Sequence, residues 1–167
     1  MSARDRLLIL LAACAVLVYA GWFVTDKERI LREGELTLFE LTPVDPRSLL
    51  QGDYLALRYA IGADLAREEL PPAGYLVFVR DSAGVAGFRR VQRDREPLAA
   101  EEHVIRFRRR RAGAVRAGSI SLGPNGYFFQ EGEGGRYGRA RYGGMRIDAG
   151  GRAVLVGLWD AEAHEIR

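Results

Sequence analysis

The sequence predicts a mainly β protein with a single N-terminal transmembrane helix, followed by a β-barrel or sandwich-like domain with one or two short helices. Two observations predict this fold. The run from Leu7 to Val24 contains no charged residue, and after Gly34 the chain breaks into many short segments separated by glycine and proline. The remaining chain is long enough to bury one hydrophobic core. We therefore expect a cytoplasmic stub and anchor at residues 1–25, a stalk at 26–34 and an extracytoplasmic domain at 35–167.

The uncharged run predicts where the protein resides. A helix needs about 20 apolar residues to cross a hydrocarbon core of roughly 30 Å, and this run comes close to that length. Arg4 and Arg6 precede it, whereas Asp26 and Glu28 follow it. Because positive charge stays on the cytoplasmic side, this pattern predicts a single-pass protein of the inner (cytoplasmic) membrane. Its N-terminus is expected in the cytoplasm and its domain in the periplasm or outside.

Three alternatives to a retained anchor remain open. Val18-Tyr19-Ala20 offers short residues for a signal-peptide cleavage, and Leu11-Ala12-Ala13-Cys14 resembles the lipobox of lipoproteins. A buried core helix is the third. A retained anchor is favoured because the apolar run continues past these sites to Val24 and has no polar face, and because the apolar stretch before the cysteine is short.

Alternation of apolar and polar residues predicts the strands of the domain. The first strand, Leu36 to Phe39, ends before Pro43. The second, Tyr54 to Ile61, places its odd-numbered residues on one face. Later strands are predicted at Tyr75 to Arg80, Val85 to Arg93, Val104 to Arg108, Ala114 to Leu122, Tyr127 to Phe129, Met145 to Asp148 and Ala153 to Trp159.

Turns and one short helix connect these strands. Ser82-Ala83-Gly84 and Ala149-Gly150-Gly151 predict hairpin turns, and Pro124-Asn125-Gly126 predicts a third turn. A short helix is expected from Gly135 to Tyr142. Glu131 or Glu133 would then lie at its N-terminus, where negative charge is favoured.

Composition excludes several kinds of site. Cys14 is the only cysteine, so the chain has no intramolecular disulfide and no thiolate metal cluster. His103 and His164 have no second ligand at a metal-binding spacing, and we expect no metal and no cofactor. Nucleic acid is not expected as a partner of an extracytoplasmic domain. The arginines of residues 106–111 therefore predict a solvated strand end, or a contact with anionic lipid headgroups or with a partner's acidic surface.

The sharpest motif is Gly52-Asp53-Tyr54-Leu55-Ala56-Leu57-Arg58-Tyr59, in which glycine permits a tight turn and aspartate bonds nearby backbone amides before a strand. The octet resembles the GDYXXLXY family of membrane-anchored proteins residue for residue. The block from Tyr127 through Tyr137 to Gly143 is similar to the C-terminal half of that family. The resemblance implies a bacterial envelope protein whose gene often lies near, or is fused to, genes for multipass membrane proteins, and it implies no biochemical activity.

A weaker resemblance connects the chain to type I signal peptidases, which also place a β domain after an N-terminal anchor. Pro46 to Asp53 is similar to the stretch after their catalytic serine. Val44 occupies the position of that serine, however, and Lys27, the only lysine, follows the anchor directly. A serine requires a nearby base to act as a nucleophile, so the resemblance implies at most a degenerate peptidase-like domain.

We expect a non-enzymatic binding or assembly partner of a multipass membrane protein, which it contacts through the face around Tyr54, Arg58 and the loop from Tyr137 to Tyr142. The alternative is an envelope hydrolase that uses Asp53 and Glu131 as paired carboxylates, and a third hypothesis is a small-ligand or polysaccharide binder. The candidate binding residues are Gly52, Asp53, Tyr54, Leu57, Arg58, Tyr59, Gln130, Glu131, Gly132, Tyr137, Arg141 and Tyr142.

Overall fold

A computed structural model describes residues 2–42, 54–65, 70–110, 119–124, 126–130 and 132–167. The strands form three sheets, with strand orders β1-β8-β9, β2-β7 and β4-β3-β5-β6. The predicted mainly β class with an N-terminal helix is confirmed, and the described strands form open sheets rather than a closed barrel. The elements are α1 (Ala3–Glu33), β1 (Glu35–Glu40), β2 (Tyr54–Ala56), α2 (Ala60–Leu65), β3 (Ala73–Arg80), β4 (Ala86–Gln92), β5 (His103–Arg110), β6 (Ser119–Ser121), β7 (Gly126–Phe128), α3 (Gly134–Tyr137), β8 (Tyr142–Ile147) and β9 (Ala153–Trp159).

The N-terminal helix α1 contains the predicted membrane segment. It begins with a capping box, in which the Asp5 backbone N–H donates to Ser2 Oγ and the Ser2 N–H donates to the Asp5 carboxylate. At 31 residues it is about 46 Å long. Its apolar window is long enough to cross a membrane and none of it is buried in the protein, although a signal sequence would show the same features. The helix is therefore a candidate membrane span.

The last turns of α1 are attached to the domain. Ile30 is fully buried, and Arg152, next to β9, forms an ion pair with Asp26. Gly34 ends the helix, and its N–H donates to the Ile30 carbonyl at 2.9 Å. A Cβ at residue 34 would lie 2.4 Å from that carbonyl oxygen, so the close approach requires glycine. The helix and the sheet β1-β8-β9 therefore share one packed junction.

The predicted hairpins are present. β3 pairs with β4, and the Asp81 side chain accepts hydrogen bonds from the Ala83 and Val85 N–H groups at 2.9 Å to close the turn. β8 pairs with β9 around Ala149 to Gly151, as predicted. The Gly151 carbonyl accepts from the Arg106 N–H at 2.8 Å, which connects this turn to β5 of the neighbouring sheet.

The motif strand is shorter than predicted. Burial alternates as expected, because Leu55, Leu57 and Tyr59 are buried, whereas Ala56 and Arg58 are exposed. The ladder with β7 covers only Tyr54 to Ala56, however, and α2 begins at Ala60. The prediction that Ile61 lies in the strand is therefore wrong. Ile61 packs against the core together with Leu65, four residues later, which is the spacing of a helix.

The predicted helix from Gly135 to Tyr142 is also shorter. α3 ends at Tyr137, and Tyr142 already belongs to β8. The chain leaves the helix because the Arg141 carbonyl accepts from the Leu41 N–H at 2.8 Å, just beyond β1. Glu133 occupies the N-cap position, but its side chain makes no capping hydrogen bond and forms an ion pair with Arg136 instead.

Candidate binding groove

Three segments that are far apart in the sequence form one groove of about 220 Å³. They are the end of β1, the motif strand and the loop after α3. Leu57, Arg58, Tyr137 and Arg141, four of the residues singled out in the sequence, line this groove together. The described residues that line it are Leu41, Thr42, Leu55, Leu57, Arg58, Tyr137, Gly138, Arg139, Ala140 and Arg141.

Backbone hydrogen bonds hold the walls of the groove in place. The Thr42 N–H donates to the Arg58 carbonyl at 2.7 Å, which fastens the end of β1 to the motif. The Arg141 N–H donates to the Trp159 carbonyl at 2.8 Å, so the opposite wall is held by β9. Because both walls are bonded to the sheet β1-β8-β9, the groove has a fixed width without depending on its own side chains.

The floor of the groove is apolar, and its rim is cationic. Leu41, Leu55 and Leu57 are each 5 % exposed and form the floor. Arg58 and Arg139 are exposed on the rim, and neither side chain has a hydrogen bond or ion pair within the described part of the chain. This combination favours a ligand that presents an apolar group beside a carboxylate.

Two further polar groups belong to the groove. Arg141 forms an ion pair with Glu40 at 2.6 Å, so its charge is already compensated. The Thr42 hydroxyl is buried and has no hydrogen-bond partner among the described residues. A buried hydroxyl without a partner is energetically costly.

Aromatic packing holds Tyr137 in the groove wall. Its ring lies 5.2 Å from the rings of Tyr127 and Phe129, measured between centroids. Burial raises the pKa of Tyr127, and the hydrogen bond and charge of Tyr137 raise it further. Tyr127 therefore stays neutral at physiological pH, and its ring packs against the Tyr137 ring that lines the groove.

Tyr59 has a structural position instead. Its ring is buried against Phe39, at 6.3 Å between centroids, and its hydroxyl donates to the Pro124 carbonyl at 3.1 Å. Burial raises its pKa far above that of a free phenol. The last tyrosine of the motif thus fixes the turn before β7 and does not line the groove.

The remaining candidate residues comprise some that the structure describes and some that lie outside the described residues. Gln130 and Gly132 are exposed and Tyr142 is half-buried in β8, and none of these three lines the groove. Tyr54 pairs with Phe128 through the strand ladder. Gly52, Asp53 and Glu131 lie outside the described residues, so the paired-carboxylate hypothesis stays a prediction.

The candidate residues did not include Thr42, and they included Arg139 only as part of the loop from Tyr137 to Tyr142. Thr42 follows the first strand, and Arg139 follows α3, so each is remote from the octet in the sequence. The only signal was the second family-like block around Tyr137, which placed this loop near the motif without indicating which residues face it.

Metal and histidine chemistry finds no support in the described part of the chain. There, no three His, Cys, Asp or Glu side chains lie close enough to hold a metal ion. His103 stacks on Phe78 at 5.7 Å and lies 3.1 Å from the Arg80 guanidinium. Burial lowers the His103 pKa and the charge of Arg80 lowers it further, against an opposing effect of Glu35.

Comparison with known proteins agrees with the sequence motif. A family model described as GDYXXLXY protein matches residues 16–158, which include the end of the apolar run in α1 and every residue of the groove. No curated protein and no solved structure matches the chain. The similarity to signal peptidases therefore gains no support beyond the short stretch that ends at Asp53.

Proposed function

This chain belongs to the GDYXXLXY family, and from that premise we propose that it is a membrane-anchored, non-enzymatic binding protein that engages a multipass membrane protein. The observation that supports this proposal best is the groove, in which an apolar floor lies below the guanidinium groups of Arg58 and Arg139, which have no partner among the described residues. The occupant is an extended segment of the partner that carries an apolar side chain next to an aspartate or glutamate.

The size of the groove favours a protein segment over a small molecule. At about 220 Å³ it is smaller than the sites of roughly 300 to 1,000 Å³ that enclose drug-sized ligands. A single side chain from a partner fills such a groove, and arginines at its rim supply the charged contacts that dominate many interfaces. Residues 35–167 are then the binding domain, and the rim is open to solvent.

The anchor places this domain beside other membrane proteins. Arg4 and Arg6 on one side of the apolar run, with Asp26 and Glu28 on the other, favour an N-terminus in the cytoplasm and a domain in the periplasm. Ile30 is buried in the domain, so the helix enters the fold within two turns of the last apolar residue of the run, Val24. The domain that carries the groove therefore stays attached close to the membrane surface.

Photocrosslinking in the native membrane tests the proposal. A photoreactive amino acid replaces Gly138, an exposed groove residue, while both rim arginines remain. We expect an adduct with an integral membrane protein, which mass spectrometry of the crosslinked peptide assigns to an acidic segment. The matched control carries the same probe at Ala161, an exposed turn residue that does not line the groove.

Charge reversal tests whether the crosslinked adduct forms because the partner binds in the groove. R58E/R139E should abolish the adduct at residue 138, and reversing the acidic residues of the captured segment should restore it. Adducts of equal yield at residues 138 and 161, or an adduct that survives R58E/R139E, would show that the groove is not the binding site.

A further inference from the structure

A second, wider cleft lies where the turn between β8 and β9 packs against the sheet β4-β3-β5-β6. It has a volume of about 510 Å³ and is open to solvent. No aspartate or glutamate is present among the described residues that line it. Its chemistry is carried by Tyr75 and four arginines, which are Arg93, Arg106, Arg108 and Arg152.

Three of the four arginines keep an uncompensated positive charge. Arg93 and Arg108 are exposed and have no side-chain partner within the described residues. Arg106 donates to the Gly150 carbonyl at 2.9 Å and lies 5.9 Å from the centre of the Tyr75 ring, so both of its partners are neutral. Arg152 alone is neutralised, by Asp26 and Asp148. The cleft therefore suits a group with concentrated negative charge, such as a phosphate.

The junction between α1 and the domain determines how far this cleft lies from the hydrocarbon core of the membrane. Asp26 follows Val24 by two residues, a rise of about 3 Å along the helix. The polar layer on each side of the hydrocarbon core is roughly 5 to 8 Å thick, so Asp26 lies within it when α1 spans the bilayer. Arg152 binds Asp26 and lines the cleft. The wall of the cleft that Arg152 forms consequently lies at the level of the lipid headgroups.

We propose that this cleft binds the phosphate headgroup of an anionic phospholipid in the leaflet where α1 leaves the membrane. This lipid-binding proposal depends on the proposed function in one respect, which is that α1 remains in the membrane as an anchor. Arg93, Arg106 and Arg108 hold the phosphate, and the ring of Tyr75 lies beside the glycerol. Each arginine near an anionic membrane surface raises binding about fivefold.

Native mass spectrometry of the full chain tests the assignment. The protein is released from mixed micelles that contain equal amounts of phosphatidylglycerol, which is anionic, and phosphatidylcholine, which is zwitterionic. We expect preferential retention of phosphatidylglycerol. The variant R93Q/R108Q should lower the ratio of the two retained lipids about 25-fold, because it removes two unpaired charges.

The control is R58Q/R139Q, which removes two exposed, unpaired arginines from the groove and none from this cleft. It should keep the lipid preference of the wild type and lose the crosslinked partner. R93Q/R108Q should lose the lipid preference and keep the crosslinked partner. This reciprocal pattern separates failure of the lipid site from failure of the proposed function. Unchanged melting temperatures show that both variants fold, and the intact mass shows that α1 is present.

Three results would overturn the lipid assignment. They are equal retention of both lipids by the wild type, the same loss of preference in R58Q/R139Q, and displacement of the lipid by an equal concentration of glycerol phosphate. The last result would assign the cleft to a soluble phosphate compound instead.

Discussion

Asp26 in α1 and Arg152 beside β9 form an ion pair across 126 residues of sequence. The same guanidinium bonds Asp148 at 2.7 Å, and its hydrogen bonds to Asp26 and Asp148 raise the pKa of Arg152. The helix that carries the apolar run is thereby connected to the turn between β8 and β9, which forms one wall of the wider cleft lined by four arginines. The helix α1 and the domain are therefore held together at this point.

Removing this connection should destabilise the domain. In R152Q, Asp26 and Asp148 lose their shared partner in a half-buried site, and we expect the free energy of unfolding to fall by about 1–2 kcal/mol. Urea denaturation of the full chain in detergent measures the change. The matched control is R32Q, which breaks an exposed i,i+4 pair with Glu28 and should cost at most about 0.5 kcal/mol. Equal losses of unfolding free energy in R152Q and R32Q would show that the ion pairs of Arg152 contribute nothing special to the stability of the domain.

The close approach of β8 to β9 depends on the absence of a side chain at Gly144. A Cβ at this position would lie 1.9 Å from the Trp159 ring, whereas a Cβ at Gly135 would have no heavy atom within 4 Å. We expect G144A to lower the free energy of unfolding by about 3 kcal/mol or to prevent folding, and G135A to leave it within about 1 kcal/mol of wild type. Thermal and urea denaturation measure both. Restoration of stability by W159L in the G144A background would assign the loss to this clash.

The stability of the domain should fall between neutral and mildly acidic pH because of His103. Burial and Arg80 hold its pKa below the ordinary value of about 6.5, so the unfolded chain takes up a proton before the folded chain does. The free energy of unfolding therefore decreases as pH falls below about 6.5 towards the folded pKa. Glu102 does not titrate in this window, because the hydrogen bond from Arg90 lowers its pKa to about 2.

Urea denaturation at several pH values between 7.5 and 5 measures this dependence. H103Q, which keeps a polar side chain and removes the titration, should flatten the curve. H164Q alters the exposed histidine near the C-terminus and should leave it unchanged. A curve that H103Q leaves as steep as the wild type would exclude His103 as the cause.

Local pattern was enough to predict most of the strands. The alternation of Leu55, Leu57 and Tyr59 is visible in the sequence because neighbouring residues of a strand point to opposite faces. The same pattern gave a wrong prediction at Ile61, which lies in α2. Over so short a stretch, apolar residues spaced two apart as in a strand and four apart as in a helix cannot be distinguished. Local propensity could not decide where the strand ended.

The groove could be predicted only in part. Arg58 and Tyr137 were identified through two motif blocks, but their neighbours depend on long-range pairing. Thr42 enters the groove because its N–H bonds the Arg58 carbonyl, and Arg139 enters because Leu41 bonds the carbonyl of Arg141. Such pairings follow from packing of the whole domain and have no local signature in the sequence.

The motif should divide into residues that stabilise the fold and residues that bind. Y59F leaves the Pro124 carbonyl without its donor, so the free energy of unfolding should fall by about 1 kcal/mol, while L57A should cost about 2–4 kcal/mol because it opens a cavity. R58E alters only an exposed side chain and should leave stability within about 0.5 kcal/mol of wild type. The crosslink at residue 138 should behave in the opposite way, surviving Y59F and disappearing in R58E. Loss of the crosslink in Y59F without loss of stability would place Tyr59 at the interface and contradict this division.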